Sequence, residues 1–228
     1  MIGKTCPALM LMIILACAVR AEDSYTAKPA DVAPPDEIKE PIRKLLGEKA
    51  IQFLDAKGGV VCELWFAKEL QSKATADQVK NGLTYREIPE STVIGAIRFP
   101  QARTDYKKQS IKAGTYILRL GFQPENGDHM GTAPNPDFCL LTPASEDKDA
   151  EPLKTKELQQ LSNKASGSTH PAVFLLFPMS VKDVASVPKV ISKEEGHWVL
   201  TIKLPVKAGD DKTEIGVGLT LIGISSAV

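Results

Sequence analysis

Neither sign of charge is in excess in this chain of 228 residues: 28 Lys and Arg stand against 28 Asp and Glu. Nucleic acid and anionic membrane are held by clustered basic surface, so no argument for either partner can be made from charge. Catalytic signatures are missing as well. There is no GxSxG turn to present a serine nucleophile and no HExxH helix to hold zinc, and no two cysteines have the CxxC spacing of a redox pair. No unit of about 20 to 50 residues recurs, which removes solenoids and propellers. Gly216-Val217-Gly218 lies inside an apolar strand pattern, where glycines admit close packing or a bulge rather than a phosphate. What remains is an ordinary globular composition, 43% hydrophobic and 25% charged, which excludes wholesale disorder.

The apolar run Pro7 to Val19 follows a single cation, Lys4, and precedes the charged pair Glu22-Asp23. It is shorter than the about 20 residues a spanning helix needs. This is the three-part pattern of an export signal, cut after Ala21 with Val19 and Ala21 at the small-residue positions. A competing reading makes Ile14-Leu15-Ala16-Cys17 a lipobox, which would acylate Cys17 and anchor the protein through lipid. The chain is therefore expected to be secreted or periplasmic, with no transmembrane helix once the signal is removed. Only Cys62 and Cys139 then remain. In an oxidising compartment they are expected to bridge, closing a loop of about 78 residues for up to about 4.5 kcal/mol by chain entropy. Two separate buried thiols are the alternative.

Residues 22–36, rich in Ala, Pro and Asp, read as a flexible leader, and 37–228 as one domain. Pro41 to Leu46, closed by Gly47, and Pro152 to Lys164 are the helix candidates. The rest alternates. Ile51 to Leu54 and Val60 to Ala67 flank a turn at Asp55 to Gly59. Cys62, Leu64 and Phe66 share one face, as do Tyr116, Leu118, Leu120 and Phe122 in Thr115 to Phe122. Leu83 to Ile88, Val93 to Phe99, Lys107 to Ile111, Phe138 to Thr142 and Val173 to Phe177 add shorter strands. Trp198 to Leu204 and Ile215 to Leu221 form a closing hairpin around Gly209-Asp210-Asp211. One-sided apolar strands need a second layer, so the expected fold is all-β: an antiparallel β-sandwich of about nine strands with one or two short helices. Trp65 and Trp198 belong to its core rather than to a sugar-stacking surface.

The stretch Ile111-Lys112-Ala113-Gly114-Thr115-Tyr116, followed by Gly127-Asp128-His129-Met130-Gly131-Thr132-Ala133-Pro134, resembles uncharacterised secreted bacterial β-sandwich proteins that share an AGTY strand and a GDHMGTAP loop. The resemblance implies location and fold and brings no catalytic residue.

Three histidines and two methionines remain after the leader: His129, His170, His197, Met130 and Met179. Imidazole with thioether suits copper, so His129, Met130, His170 and Met179 are the candidate metal ligands, although no two have the spacing that would place both on one element face. Asp128-His129 also offers a carboxylate-oriented imidazole for acid/base work, which would make the protein a hydrolase. The simpler reading is non-enzymatic. The loop Pro124 to Pro136, with Asp128, His129, Met130 and Asn135, joins two strong strands and is the expected recognition edge for an extracytoplasmic ligand or protein. A secreted binding or envelope-structural module follows, with the copper carrier and the hydrolase as alternatives.

Overall fold

The computed structural model describes residues 24–123, 133–185 and 188–225. The first half of the chain supplies β1 (Thr26–Ala30), α1 (Glu40–Arg43), β2 (Ala50–Leu54), β3 (Val60–Phe66), β4 (Leu70–Ser72), α2 (Ala76–Asn81), β5 (Val93–Phe99), β6 (Arg103–Thr104), β7 (Ser110–Ile111) and β8 (Gly114–Phe122). The second half supplies β9 (Asp137–Pro143), α3 (Thr155–Ser166), β10 (Val173–Met179), β11 (Lys189–Lys193), β12 (His197–Ala208) and β13 (Asp211–Ile222). The protein is therefore mostly β, as its alternation predicts.

The strands lie in one path, β1-β2-β3-β5-β8-β9-β10-β13-β12-β11, with β4 beside β12 and a separate small hairpin of β6 and β7. All pairs on the path are antiparallel, whereas β4 runs parallel to β12 through Val206↔Leu70. The sheet is thus mixed, and it curls instead of splitting into two independent layers. The pivot is β10. Its first residues, Val173 to Leu175, pair with β9, and its last, Leu176 to Met179, pair with β13. A strand that changes partners halfway turns a corner in the sheet. The curl brings the two edge strands β1 and β11 towards each other. Tyr25 spans the approach, stacked on Phe53 at 5.1 Å and edge-on to Trp198 at 5.2 Å.

The concave face holds the main core. Cys62, Leu64 and Phe66 of β3, Tyr116, Leu118 and Leu120 of β8, and Leu200, Ile202 and Leu204 of β12 all point into it. The opposite face is buried too, because the chain outside the sheet covers it. Ile38, Ile42 and Leu46 pack around α1 onto Trp65, Ala96 and Ile117, and Leu158 of α3 packs onto Leu140 and Val173. Residues in the segment expected to be a leader join both the sheet and this outer layer, where Ala30 and Val32 pack. Residues 26–30 form β1, paired through Thr26↔Leu54 to Ala30↔Ala50, and the Val32 carbonyl accepts the Trp65 indole N–H at 2.8 Å. Two alanines, a threonine, a lysine and one proline suit an edge strand, where only one side of the backbone needs a partner.

Three further expectations change. Leu83 to Ile88 forms a 3₁₀ turn at Tyr85–Glu87 capped by Thr84, and Lys107 to Ile111 contributes only the two residues of β7. Cys62 and Cys139 are free, buried thiols. They sit on β3 and β9, with β5 and β8 between them, and at about 4.8 Å per strand that interval is more than twice the Cα separation a disulfide spans.

Candidate functional site

The split at β10 leaves the start of that strand without β13 as a neighbour, and the β6–β7 hairpin fills the gap. Asp105 fixes it there. One carboxylate oxygen accepts the backbone N–H groups of Lys107 at 2.9 Å and Gln109 at 2.8 Å. The other accepts the Gln109 side chain at 2.8 Å and the Val173 N–H of β10 at 3.0 Å. Tyr106 completes the join: its N–H donates to the Val173 carbonyl and its carbonyl accepts from Ser225 N–H, at 2.9 and 2.8 Å. Burial pushes the Asp105 carboxyl above its ordinary range, and the four N–H donors oppose that shift.

Beneath the hairpin lies a cavity of about 640 Å³ between the ends of β1 and β13 and the start of β10, within the range typical of small-ligand sites. Tyr25, Phe174 and Leu221 give it apolar walls, and Arg103, Thr104, Ser110 and Thr220 give it polar ones. Ile224 lies at its edge and is 47% exposed, one of two large apolar side chains left open among the described residues. Thr220 is 3% exposed, yet its Oγ1 has no hydrogen-bond partner. A buried hydroxyl without a partner costs about 1–3 kcal/mol, a cost this residue carries at the cavity's margin.

Arg103 stands at the inner side of the hairpin. Burial pushes the Cys62 thiol far up, and the Arg103 guanidinium is the largest influence pulling it back down. The charge is therefore felt at a fully buried thiol. No carboxylate of the described residues forms an ion pair with it.

A second cavity, of about 620 Å³, lies at the opposite ends of β10 and β13, below α2. Asp137 and Met179 line it. Arg86 Nε stands 3.1 Å from Asp137 Oδ1, but its N–H is not aimed at that oxygen, which stays without a hydrogen bond. Burial holds the Asp137 carboxyl above the ordinary range, with Arg86 the main opposing influence. Tyr85 forms part of the floor: its hydroxyl donates to the Phe177 carbonyl at 2.7 Å and accepts Gly218 N–H at 3.1 Å, bridging β10 to β13.

The residues singled out from sequence do not assemble at one place. Asp128, His129 and Met130 lie outside the described residues. Asn135, just ahead of β9, buries its Nδ2 without a partner. Met179 ends β10, whereas His170 is exposed three residues before that strand begins. At about 3.3 Å per residue the two stand on the order of 20 Å apart, beyond sharing one metal ion. Among the described residues no three His, Cys, Asp or Glu side chains gather as a metal site. His197 begins β12; its Nδ1 lies 2.8 Å from the Glu194 carbonyl and its ring packs near Tyr106 and Phe177. Trp65 is fully buried and Trp198 packs against the concave core, as expected of core tryptophans.

Sequence reading missed Arg103 and Thr220. Arg103 lies in a Gln-Ala-Arg-Thr-Asp turn whose polarity resembles any surface loop, and Thr220 interrupts an apolar strand on the face opposite the alternating core positions. Comparison of the chain with protein-family models, with curated proteins and with solved structures finds no match.

Proposed function

We propose that the protein is a non-enzymatic small-molecule-binding module that works outside the cytoplasm, with its ligand held in the cavity beneath the β6–β7 hairpin. The observation that carries this reading is the cavity itself: about 640 Å³ of space with Tyr25, Phe174 and Leu221 as apolar walls and Arg103, Thr104 and Ser110 as polar ones. A hollow of this size that combines apolar walls with polar groups able to orient a ligand is a default candidate for a small-molecule site. The export pattern of residues 1–21, or the alternative anchor at Cys17, supports the location, as does the resemblance to secreted bacterial proteins. On this reading the two strand groups joined by β10 are an opened β-sandwich, with the ligand at the opening.

Fluorescence titration with N-phenyl-1-naphthylamine, a neutral apolar dye, tests it. The folded protein should bind one dye per chain with saturation, and Ser110→Trp, which places an indole at the cavity wall, should abolish that binding without lowering Tm. Failure of the unmodified chain to bind the dye refutes the reading.

A further inference from the structure

We infer that the ligand of this cavity is an amphipathic anion, a carboxylate, sulfonate or phosphate monoester head on an apolar body, and that Arg103 anchors the head; this rests on the small-molecule reading above.

The five arginines of the described residues show why. Arg43 pairs with Asp36, Arg86 with Asp137, Arg98 with Glu63 and Arg119 with Asp147. Arg103 alone has no carboxylate partner. It is not simply an arginine extended into solvent. Its charge acts on the Cys62 thiol, which is 0% exposed, and the residue lines the cavity. A guanidinium beside apolar walls gives up part of its hydration and regains it best from an anion, through a two-pronged, charge-assisted contact about twice as strong as a neutral hydrogen bond.

The rest of the cavity fixes the other end of the ligand. Phe174 and Leu221 belong to the concave core, Tyr25 packs against it, and Ile224 presents an open apolar edge. Such walls accept rings or an acyl chain and offer no second cation. One anionic head with an uncharged body matches this distribution, whereas a dianion with charges at both ends would bury one of them unpaired.

The experiment compares two dyes with the same anilinonaphthalene body, 1-anilinonaphthalene-8-sulfonate and N-phenyl-1-naphthylamine, titrated into the full chain and its Arg103→Gln and Ser110→Trp variants. The sulfonate should bind the unmodified chain at least about tenfold more tightly than the neutral dye. Arg103→Gln should remove that advantage and leave the neutral dye within about twofold, and Ser110→Trp should abolish both. A measurement without Arg103 substitution accompanies these: sodium octanoate should displace the bound sulfonate dye at concentrations where 1-octanol does not. If the neutral dye binds and Ser110→Trp blocks it, but Arg103→Gln leaves sulfonate affinity unchanged or octanol competes as well as octanoate, the anion assignment is overturned and the cavity reading survives. If neither dye binds, or Ser110→Trp changes neither, the cavity reading itself falls and the assignment with it.

Discussion

Arg119 is the most demanding residue in the structure to remove. It lies in the middle of β8, fully buried, on the face opposite the concave core. All five of its N–H donors are used. Nε and Nη2 each reach an oxygen of Asp147 at 2.7 Å, Nη1 reaches the carbonyls of Ser91 at 2.8 Å and Glu151 at 3.1 Å, and Nη2 also donates to the Asp149 carbonyl. Asp147 accepts Thr142 Oγ1 as well. With no donor left over, the guanidinium has no capacity for a ligand; its work is to fasten the 143–153 connection and the Ser91 turn to the sheet. Asp147→Asn removes the countercharge and nearly preserves the shape, so it leaves a buried cation uncompensated and should cost about 3–5 kcal/mol. For a chain of this size that lowers Tm by roughly 6–20 °C. Arg119→Met should cost at least as much, since it strands the carboxylate and three main-chain carbonyls together. The double variant Arg119→Met/Asp147→Leu separates the two contributions. A simple ion pair replaced by apolar groups is often neutral, but here the three carbonyls still lose their donor, so a deficit of about 2 kcal/mol or more should persist. Urea unfolding followed by tryptophan fluorescence, with the m-value held constant, reads all three. A loss below about 1 kcal/mol for Asp147→Asn, or full recovery in the double variant, would refute the reasoning.

Cys62 and Cys139, both buried and unpaired with thiols pushed far above the ordinary range, should resist a thiol-specific disulfide reagent in the native protein and react fully in denaturant; rapid native labelling would contradict their placement. Gly95 has no room for a side chain, because a Cβ would stand 2.5 Å from the Trp65 carbonyl oxygen of the paired strand. Gly95→Ala should therefore destabilise by about 1–3 kcal/mol in the same unfolding assay, and a neutral result would mean the strands separate more easily than their packing implies. Asp137 carries a pH signature. Its carboxyl is raised in the folded protein, so the native state holds the proton more firmly than the unfolded chain does. Its contribution to stability is present at low pH and is lost as pH rises through the raised value. The Tm of Asp137→Asn, relative to the unmodified chain, should accordingly increase from about pH 4 to about pH 7. A relative Tm that falls over that interval would show that the Arg86 contact outweighs burial.

The parts of this fold that announce themselves in the sequence are those whose contacts follow a local period. Tyr116, Leu118 and Leu120, or Leu200, Ile202 and Leu204, reveal their strand and their inward face through spacing alone. Gly216 and Gly218 were legible in the same way, and a Cβ at either would press on β10 at Met179, 2.7 and 2.9 Å away. What stays hidden depends on distant partners. Ile117 and Arg119 sit on the reverse face of a strand whose pattern looks half-exposed, and both are buried because α1 and the 143–153 connection cover them. The ten-strand curl follows from where β10 changes neighbours, a matter of register that its short apolar sequence does not encode. Asp105 and Arg103 were illegible for a related reason: two polar residues in a short hairpin take their meaning from Val173 and Cys62, 68 and 41 positions away in the chain.

That shared strand also bears on how the polypeptide is made. Synthesis from the N-terminus exposes six of the ten ladder members before residue 173 appears, and until then β9 offers a bare hydrogen-bonding margin to any neighbouring chain. The nascent protein is thus most prone to sticking late in translation. Arrival of a single seven-residue stretch covers that margin and, by the same backbone, seeds the β13–β12–β11 quarter still to come.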